Sequence, residues 1–154
     1  RPNMYDLSLK TPGIIKWPGV TRAGMVIKDT TRSLDLFPTI LEMAGIEIPK
    51  DIPLRGRSLV PLLKGRTPSD WPRDFYAEYH MINYVEADMR CYRTPEWKLI
   101  RDFKNEGRDE LYYLAKDPKE SKNLIEDNDP DVRAAYQLLN TALMERKRTI
   151  EEKD

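Results

Sequence analysis

Residues 87–114, with the sequence ADMRCYRTPEWKLIRDFKNEGRDELYYL, decide the fold of this chain. Runs enriched in aromatic and β-branched residues are separated here by polar breaks such as Lys104–Gly107, which is typical of short β-strands joined by turns. With the run just upstream, the pattern predicts four strands, at Asp74–His80, Ala87–Thr94, Trp97–Phe103 and Glu110–Leu114. Because such short connections join antiparallel neighbours, we expect a meander.

The chain that follows these strands predicts a long C-terminal helix. Asp129 is a good N-cap, and Pro130 suits the first helical turn, where backbone amides have no partner within the helix. Apolar residues then recur at helical spacing, at Val132, Ala135, Tyr136, Leu139, Ala142 and Leu143. This stripe should pack on the sheet. The predicted fold class is therefore α/β of the α+β type, a small antiparallel sheet of about four strands packed by a long C-terminal helix.

Upstream of the sheet, the sequence predicts a strand and then a helix. The apolar run within residues 11–18 is bounded by prolines, which favours a buried strand. Apolar residues at helical spacing from Thr31 to Ala44, followed by Gly45, favour a helix whose N-cap is Asp35 or Thr31. We therefore expect a strand–helix unit before the sheet.

A connector rich in Pro and Gly separates this unit from the sheet. It covers residues 46–73 and holds one compact apolar cluster, at 59–63, that predicts a short helix. We place the domain boundary at the end of the connector, so that residues 1–70 and 71–154 form two regions.

The composition excludes several classes of function. Lys plus Arg and Asp plus Glu both number 26, so the chain lacks the basic excess that binds nucleic-acid phosphates, and we expect no nucleic acid partner. No apolar run approaches the roughly 20 residues that cross a bilayer, so no membrane span is expected. Cys91 is the single cysteine and His80 the single histidine, which excludes an internal disulfide and a Cys/His zinc site.

Three stretches of the chain carry a family resemblance. Residues 4–19, MYDLSLKTPGIIKWPG, contain a tyrosine–acid pair, a basic residue, a proline, an apolar run and Trp-Pro-Gly. Residues 33–65 contain SLDLFPTIL, AGI, GRSL and PLLKG, and residues 93–124 contain Arg-Thr, Lys-Leu-Ile, Glu-Leu-Tyr-x-Leu and Asp-Pro-x-Glu-x-x-Asn. In this order the three stretches resemble the sulfatase family of the alkaline phosphatase superfamily, and they cover nearly the whole chain.

The resemblance implies that this chain is the C-terminal portion of a sulfatase. Residues 1–70 would be a strand–helix remnant of the larger sulfatase α/β domain, and residues 71–154 the C-terminal subdomain. Sulfatases hydrolyse sulfate esters with a formylglycine, made from Cys or Ser in a Cys/Ser-x-Pro-x-Arg motif, beside a calcium ion. The chain contains no such motif, so we expect the formylglycine and the calcium to belong to a missing N-terminal catalytic half.

Several expectations about the parent protein follow from this resemblance. The present chain should bind no cofactor and be inactive alone. The parent should act on a sulfated glycan or a small sulfate ester, and it should be exported to a periplasmic, extracellular or lysosome-like compartment.

Few residues of the chain are candidates for a functional site, and we assign none of them a catalytic or metal-ligating role. Many sulfatases place a sulfate-binding lysine four residues before the tyrosine of the tyrosine–acid pair. Here that position is Arg1, whose guanidinium suits a pair of sulfate oxygens. His80 ends a predicted strand, Tyr84 lies in the polar, aromatic-containing loop that follows it, and both are candidates for substrate binding. The structural alternatives are a strand-end hydrogen bond for His80 and packing for Tyr84.

Other conspicuous residues favour structural roles. Cys91 lacks the proline two positions later that the nucleophile motif requires, so its thiol is interpreted as buried and inert. Asp35 lies beside a helix start and suits an N-cap or a helix-dipole contact. Aromatic core residues are expected at Trp97, Tyr112 and Tyr113, and residues on the strand surface or in ion pairs at Arg93 and Lys98.

Two other functions stay open at this point. A phosphodiesterase or phosphotransferase relative would share the superfamily's core, and an upstream Ser or Thr nucleophile with ligands for two metals would favour it. A non-catalytic interaction module would form a stable complex with the missing half without activity.

Overall fold

Four short strands pair in sequence order, β1-β2-β3-β4, and every neighbouring pair is antiparallel. This arrangement comes from a computed structural model that describes residues 2–48 and 51–152. Along the chain the elements are α1 (Asp6–Leu9), a 3₁₀ turn (Ser33–Asp35), α2 (Leu36–Met43), α3 (Val60–Leu63), β1 (Phe75–Met81), β2 (Ala87–Arg93), β3 (Trp97–Asp102), β4 (Glu110–Tyr113) and α4 (Pro130–Glu151). The predicted fold class, with its meander and long C-terminal helix, is confirmed.

The helix α4 covers one face of the sheet, here called the helix face. Its start follows the prediction, since the Asp129 side chain accepts a hydrogen bond from the Asp131 amide and Pro130 is the first helical residue. The predicted apolar stripe forms the core on this face, where Val132, Leu139 and Leu143 of the helix pack with Leu99 and Leu111 of the strands. Trp97 and Tyr113 stack beside this core with ring centroids 4.5 Å apart, which confirms the packing interpretation of these aromatic residues.

The opposite face of the sheet is covered by the N-terminal segment of the chain, residues 2–12, and is here called the segment face. Met4 is fully buried in a core with Met89, Cys91, Ile100 and Tyr112. Both faces of the central strands are therefore buried, which explains why β3 reads as a mixture of apolar and charged residues without a clear alternation.

The contacts divide the chain into two compact units, and the division differs from the boundary proposed from sequence. One unit contains residues 1–12 and 74–154, and the other contains residues 13–73. The N-terminal segment joins the sheet because its apolar and charged side chains are buried there. Whether residues 1–70 belong to a larger sulfatase domain stays a prediction.

The unit of residues 13–73 contains α2 and α3 around a core formed by Leu59, Leu62, Leu63 and Trp71. Gly45 ends the helical region with a φ of 69°, the left-handed geometry expected of a C-terminal cap. The strand predicted within residues 11–18 is wrong, because this stretch is irregular and Ile14 is 96% exposed. It pairs with none of the four described strands, and an isolated extended run gains no ladder hydrogen bonds.

In the described part of the chain, residues 2–48 and 51–152, no helix combines the length and apolar character that would let it cross a bilayer.

Candidate functional site

The three candidate site residues have different outcomes. Arg1 lies outside the described residues. His80 lies near the end of β1 and is largely exposed, with its Nδ1 atom 3.2 Å from the Asp88 Oδ1 atom on β2. Tyr84 is fully exposed in the loop between β1 and β2. The structure thus gives His80 the hydrogen-bonded strand position that was its structural alternative, whereas Tyr84 does not pack.

His80 belongs to a polar group on the helix face of β1 and β2. Arg90 donates a 2.5 Å hydrogen bond to Asp88, and its Nε atom lies 3.2 Å from Glu78. Burial alone would raise the pKa of Asp88, but hydrogen bonds from Arg90 and His80 outweigh it and lower that pKa. The group can offer hydrogen bonds to a polar ligand, but the carboxylates are already neutralised by their own partners.

A second charged group is buried between the N-terminal segment and the segment face, and sequence reasoning did not assemble it. We call it the ionic cluster, and it contains Asp6, Arg93, Lys98 and Glu120. The Lys98 side chain is completely buried, with its Nζ atom 3.0 Å from Asp6 Oδ1 and 2.6 Å from Glu120 Oε1. The expectation that Lys98 lies on the strand surface is wrong, and the ion-pair alternative is confirmed.

Asp6 is the centre of this cluster. Arg93 donates two hydrogen bonds of 3.0 Å to its carboxylate, from Nε to Oδ1 and from Nη2 to Oδ2. The Asp6 amide donates a 2.6 Å hydrogen bond to Glu120 Oε2, and Lys10 reaches Asp6 Oδ2 at 2.8 Å from the solvent side. Burial would raise the pKa of Asp6, but hydrogen bonds from Arg93, Lys10 and Lys98 outweigh it and hold this pKa well below its ordinary range.

The Asp-Pro-x-Glu-x-x-Asn motif builds the opposite wall of the cluster. Asp117 shapes the turn, because its carboxylate accepts hydrogen bonds from the amides of Ser121 and Lys122 at 2.8 Å each. Glu120 adopts a φ of 55°, the left-handed region that residues other than Gly rarely occupy. Asn123 fastens the turn to β4 by accepting a 2.9 Å hydrogen bond from the Leu111 amide.

Further contacts hold the start of the N-terminal segment. The Tyr5 hydroxyl donates to Glu110 Oε1 at 3.1 Å, and the Tyr112 hydroxyl donates to the other oxygen of Glu110 at 3.0 Å. Arg108 donates to the Pro2 carbonyl at 3.3 Å. The backbone entering α1 is therefore fixed by polar contacts before and within the helix, with the buried Met4 between them.

The second family stretch folds around one carboxylate in the unit of residues 13–73. Asp35 is buried at the start of α2, as the helix-start interpretation expected, but its carboxylate does not cap that helix. It accepts 2.8 Å hydrogen bonds from the amides of Arg32 and Arg57. Thr39 extends this link by accepting a 2.8 Å hydrogen bond from the Leu59 amide. Hydrogen bonds thus join the Ser-Leu-Asp stretch and the start of α2 to the Gly-Arg-Ser-Leu motif.

The chemistry available to these groups is limited. Cys91 is fully buried, and burial raises the pKa of its thiol to about 12, so the neutral, unreactive form dominates near neutral pH. Within residues 2–48 and 51–152, no three His, Cys, Asp or Glu side chains converge as metal ligands. These residues do not fit a calcium ion, which needs six or more oxygen ligands, and the carboxylates of the ionic cluster already bind cationic side chains.

Known proteins resemble almost the whole chain. The family profile described as N-sulphoglucosamine sulphohydrolase, C-terminal, matches residues 1–149. The N-acetylglucosamine-6-O-sulfatase of Bacteroides thetaiotaomicron is 34% identical over 126 residues, which cover 79% of this chain and 22% of that protein.

Solved structures show the same likeness. A protein solved in complex with its substrate, D-glucosamine-2-N,6-O-disulfate, is 28% identical with a TM-score of 0.72, over 92% of this chain and 28% of that one. The phosphonate monoester hydrolase of Silicibacter pomeroyi is also 28% identical, with a TM-score of 0.68, over 86% of this chain and 28% of that one. The chain therefore spans between about a fifth and a third of the length of these proteins.

Proposed function

Because this chain belongs to the N-sulphoglucosamine sulphohydrolase C-terminal family, a C-terminal domain of sulfatases, we propose that it is the C-terminal portion of a sulfuric ester hydrolase. The proposed substrates are sulfated carbohydrates or small sulfate esters. The observation that carries the proposal is the family match over residues 1–149. The relatives that support the substrate class are an N-acetylglucosamine-6-O-sulfatase and a protein solved with a sulfated glucosamine.

The catalytic groups are assigned to the remainder of the parent protein. The Cys/Ser-x-Pro-x-Arg motif is absent from the 154 residues, and Cys91 is too deeply buried to act as a nucleophile. A formylglycine and a calcium ion would supply the nucleophile and the positive charge that stabilises the reacting sulfate. On this proposal the chain alone is inactive.

A docking surface for the remainder of the parent is part of the proposal. Large apolar side chains along and beside α2 are exposed, including Leu34, Phe37 and Ile40. Exposed apolar residues this close together are typical of surfaces that pack against another protein element. We assign them to contact with the catalytic half. The exposed His80 and Tyr84 at the β1–β2 hairpin, together with Arg1, are assigned to the substrate side.

The test compares this chain with the same gene product extended upstream of Arg1. Both proteins are assayed, with calcium, on an aryl sulfate, on sulfated glucosamine and on a phosphonate monoester. Hydrolysis of the sulfate esters by the extended protein alone is the expected result. Sulfate-ester hydrolysis by the 154 residues would overturn the assignment of the catalytic groups.

The phosphonate substrate separates the proposal from its nearest alternative. The phosphonate monoester hydrolase shares this fold, so an extended protein that cleaved only the phosphonate would replace the sulfatase proposal with that activity. A stable complex between the chain and the missing half that cleaved none of the three substrates would favour a non-catalytic interaction module.

A further inference from the structure

The N-terminal segment is part of the sheet unit although residues 13–73 separate it from the first strand. Its charged anchor, Asp6, meets Lys98 across 92 positions of sequence. The segment does not pair with a strand of the sheet, so its position depends on the contacts that its side chains make. The geometry of those contacts therefore decides where the segment lies.

The ionic cluster fixes the segment in one register. The Asp6 carboxylate is shared between Arg93 and Lys98, and the Asp6 amide binds Glu120. A shift of the segment by one residue would replace Asp6 with Tyr5 or Leu7, which would leave the Arg93 guanidinium without its carboxylate and the buried Lys98 with Glu120 as its remaining carboxylate partner. Removing the partner of a buried charge is strongly destabilising, so other registers are disfavoured.

The same cluster is a poor means of adding stability. Buried ion pairs lose about as much free energy in desolvation as they gain in attraction, and apolar replacements are often as stable. Glu120 also holds its carboxylate from a left-handed backbone conformation, with a φ of 55°, which is strained for a residue other than Gly. The strained backbone of Glu120 directs its carboxylate toward Asp6 and Lys98. This favours a role of Glu120 in positioning the segment over a role in stabilising the fold.

The fixed segment leads directly to the end of the chain that the proposed function places at the sulfate. Arg108 binds the Pro2 carbonyl, and Tyr5 binds Glu110, so the backbone is held from Pro2 to Asp6. Pro2 is bonded to Arg1, the candidate sulfate-binding residue.

We propose that Asp6, Lys98, Glu120 and Arg93 are positioning residues, which hold the N-terminal segment in one register against the sheet and thereby place its Pro2 end at the sulfate group of the substrate. This inference rests on the proposed sulfatase function for the substrate, but the holding of the segment can be tested without it.

The first experiment measures amide hydrogen exchange by mass spectrometry on the 154-residue protein. Glu120→Gln keeps the side-chain volume and an oxygen for the Asp6 amide but removes the charge that pairs with Lys98. Asp6→Asn makes the corresponding change on the segment. The matched control, Asp109→Asn, removes a carboxylate that immediately precedes β4 and binds Arg101 at 2.9 Å.

We expect both cluster variants to accelerate exchange in peptides covering residues 4–10 by about tenfold, as for a local opening, with less than about a twofold change in β2 and β3. The control should leave residues 4–10 unchanged. Unchanged exchange in the segment, or equal acceleration in the segment and in β3, would overturn the proposal, because the cluster would then be dispensable or merely stabilising.

The second experiment places the same variants in the extended gene product and measures kcat/KM for an aryl sulfate together with competitive inhibition by inorganic sulfate. Small misplacement of binding groups can cost about 100-fold in rate, so we expect kcat/KM to fall at least about tenfold and sulfate to bind more weakly, at temperatures where each variant is folded. Asp109→Asn should stay within about twofold of the unchanged protein on both measures.

The two experiments separate the inference from the function on which it rests. An extended protein without sulfatase activity would refute the proposed function, and exchange would still decide whether the cluster holds the segment. Variants that open the segment but keep full kcat/KM would refute the positioning role alone.

Discussion

Replacing Lys98 with methionine tests the energetic argument for the ionic cluster most directly. Methionine nearly matches the volume of the lysine side chain, so Lys98→Met removes a charge without opening a large cavity. The lysine is completely buried, and the Glu120 side chain beside it is only 3% exposed. Among the described residues, Glu120 would keep only the Asp6 amide as a partner, whereas Asp6 would keep Arg93 and Lys10.

The expected loss follows from these remaining partners. Breaking a buried pair from one side typically costs about 3 to 5 kcal/mol, and because Asp6 stays neutralised we expect the lower end, about 3 kcal/mol. The double variant Lys98→Met/Glu120→Gln removes the stranded charge and should recover about 1 to 2 kcal/mol. The double variant should thus be more stable than the single one.

Urea unfolding followed by far-ultraviolet circular dichroism measures this loss, because the 22-residue α4 packs on the same sheet and dominates the signal. Lys104→Met is the matched control, since Lys104 pairs with Glu86 at the surface and its loss should leave the urea midpoint unchanged. A loss below about 1 kcal/mol for Lys98→Met, or a double variant less stable than the single one, would refute the reasoning.

Three further predictions concern other parts of the chain. Gly56→Ala should destabilise the protein by about 1 to 3 kcal/mol in urea unfolding, because a Cβ atom there would lie 1.9 Å from the Leu34 carbonyl oxygen. Gly13→Ala, with open space around the Cβ position, should have little effect. The folded-state pKa of Asp6 lies well below the ordinary value of 3.8, so its contribution to stability is present above that ordinary value and is lost as the pH falls toward the folded-state pKa. The urea midpoint should accordingly drop between about pH 5 and pH 2, and less steeply in Asp6→Asn. The thiol of Cys91, with its pKa raised to about 12, should resist a thiol reagent in the folded protein at neutral pH and react fully in denaturant.

The strands and the last helix were predictable because local rules specify them. Polar breaks marked the ends of the strands to within a few residues, and the Asp129-Pro130 pair marked the start of α4. The strand predicted within residues 11–18 failed for a reason that no local rule contains. An apolar run becomes a strand only where it pairs with the edge of another strand, and this run pairs with none of the four described strands.

The ionic cluster was not predictable from spacing. Along β3, Trp97 and Leu99 point to the helix face, and Lys98 and Ile100 point to the segment face. Since both faces are covered, the run shows no alternation that would identify Lys98 as buried. Its partners lie 92 and 22 positions away. The family resemblance did contain all the members, because Asp6, Arg93, Lys98 and Glu120 each belong to one of its motifs, but it gave no reason for their presence.

The structure explains why these charged residues belong to the motifs, and the explanation limits what the motifs indicate about function. The charged motif residues of the ionic cluster hold the N-terminal segment on the sheet. Asp35 and Gly56 join the start of α2 to the Gly-Arg-Ser-Leu stretch. A sequence match built on such residues identifies the fold and the family, because a chain that lacked them would lose the segment or the loop. It carries little information about the substrate, which must be recognised by exposed groups such as those of the β1–β2 hairpin, where Tyr84 contributes nothing to the packed core. Experiments on specificity should therefore begin with the hairpin, and experiments on the integrity of the site with the cluster.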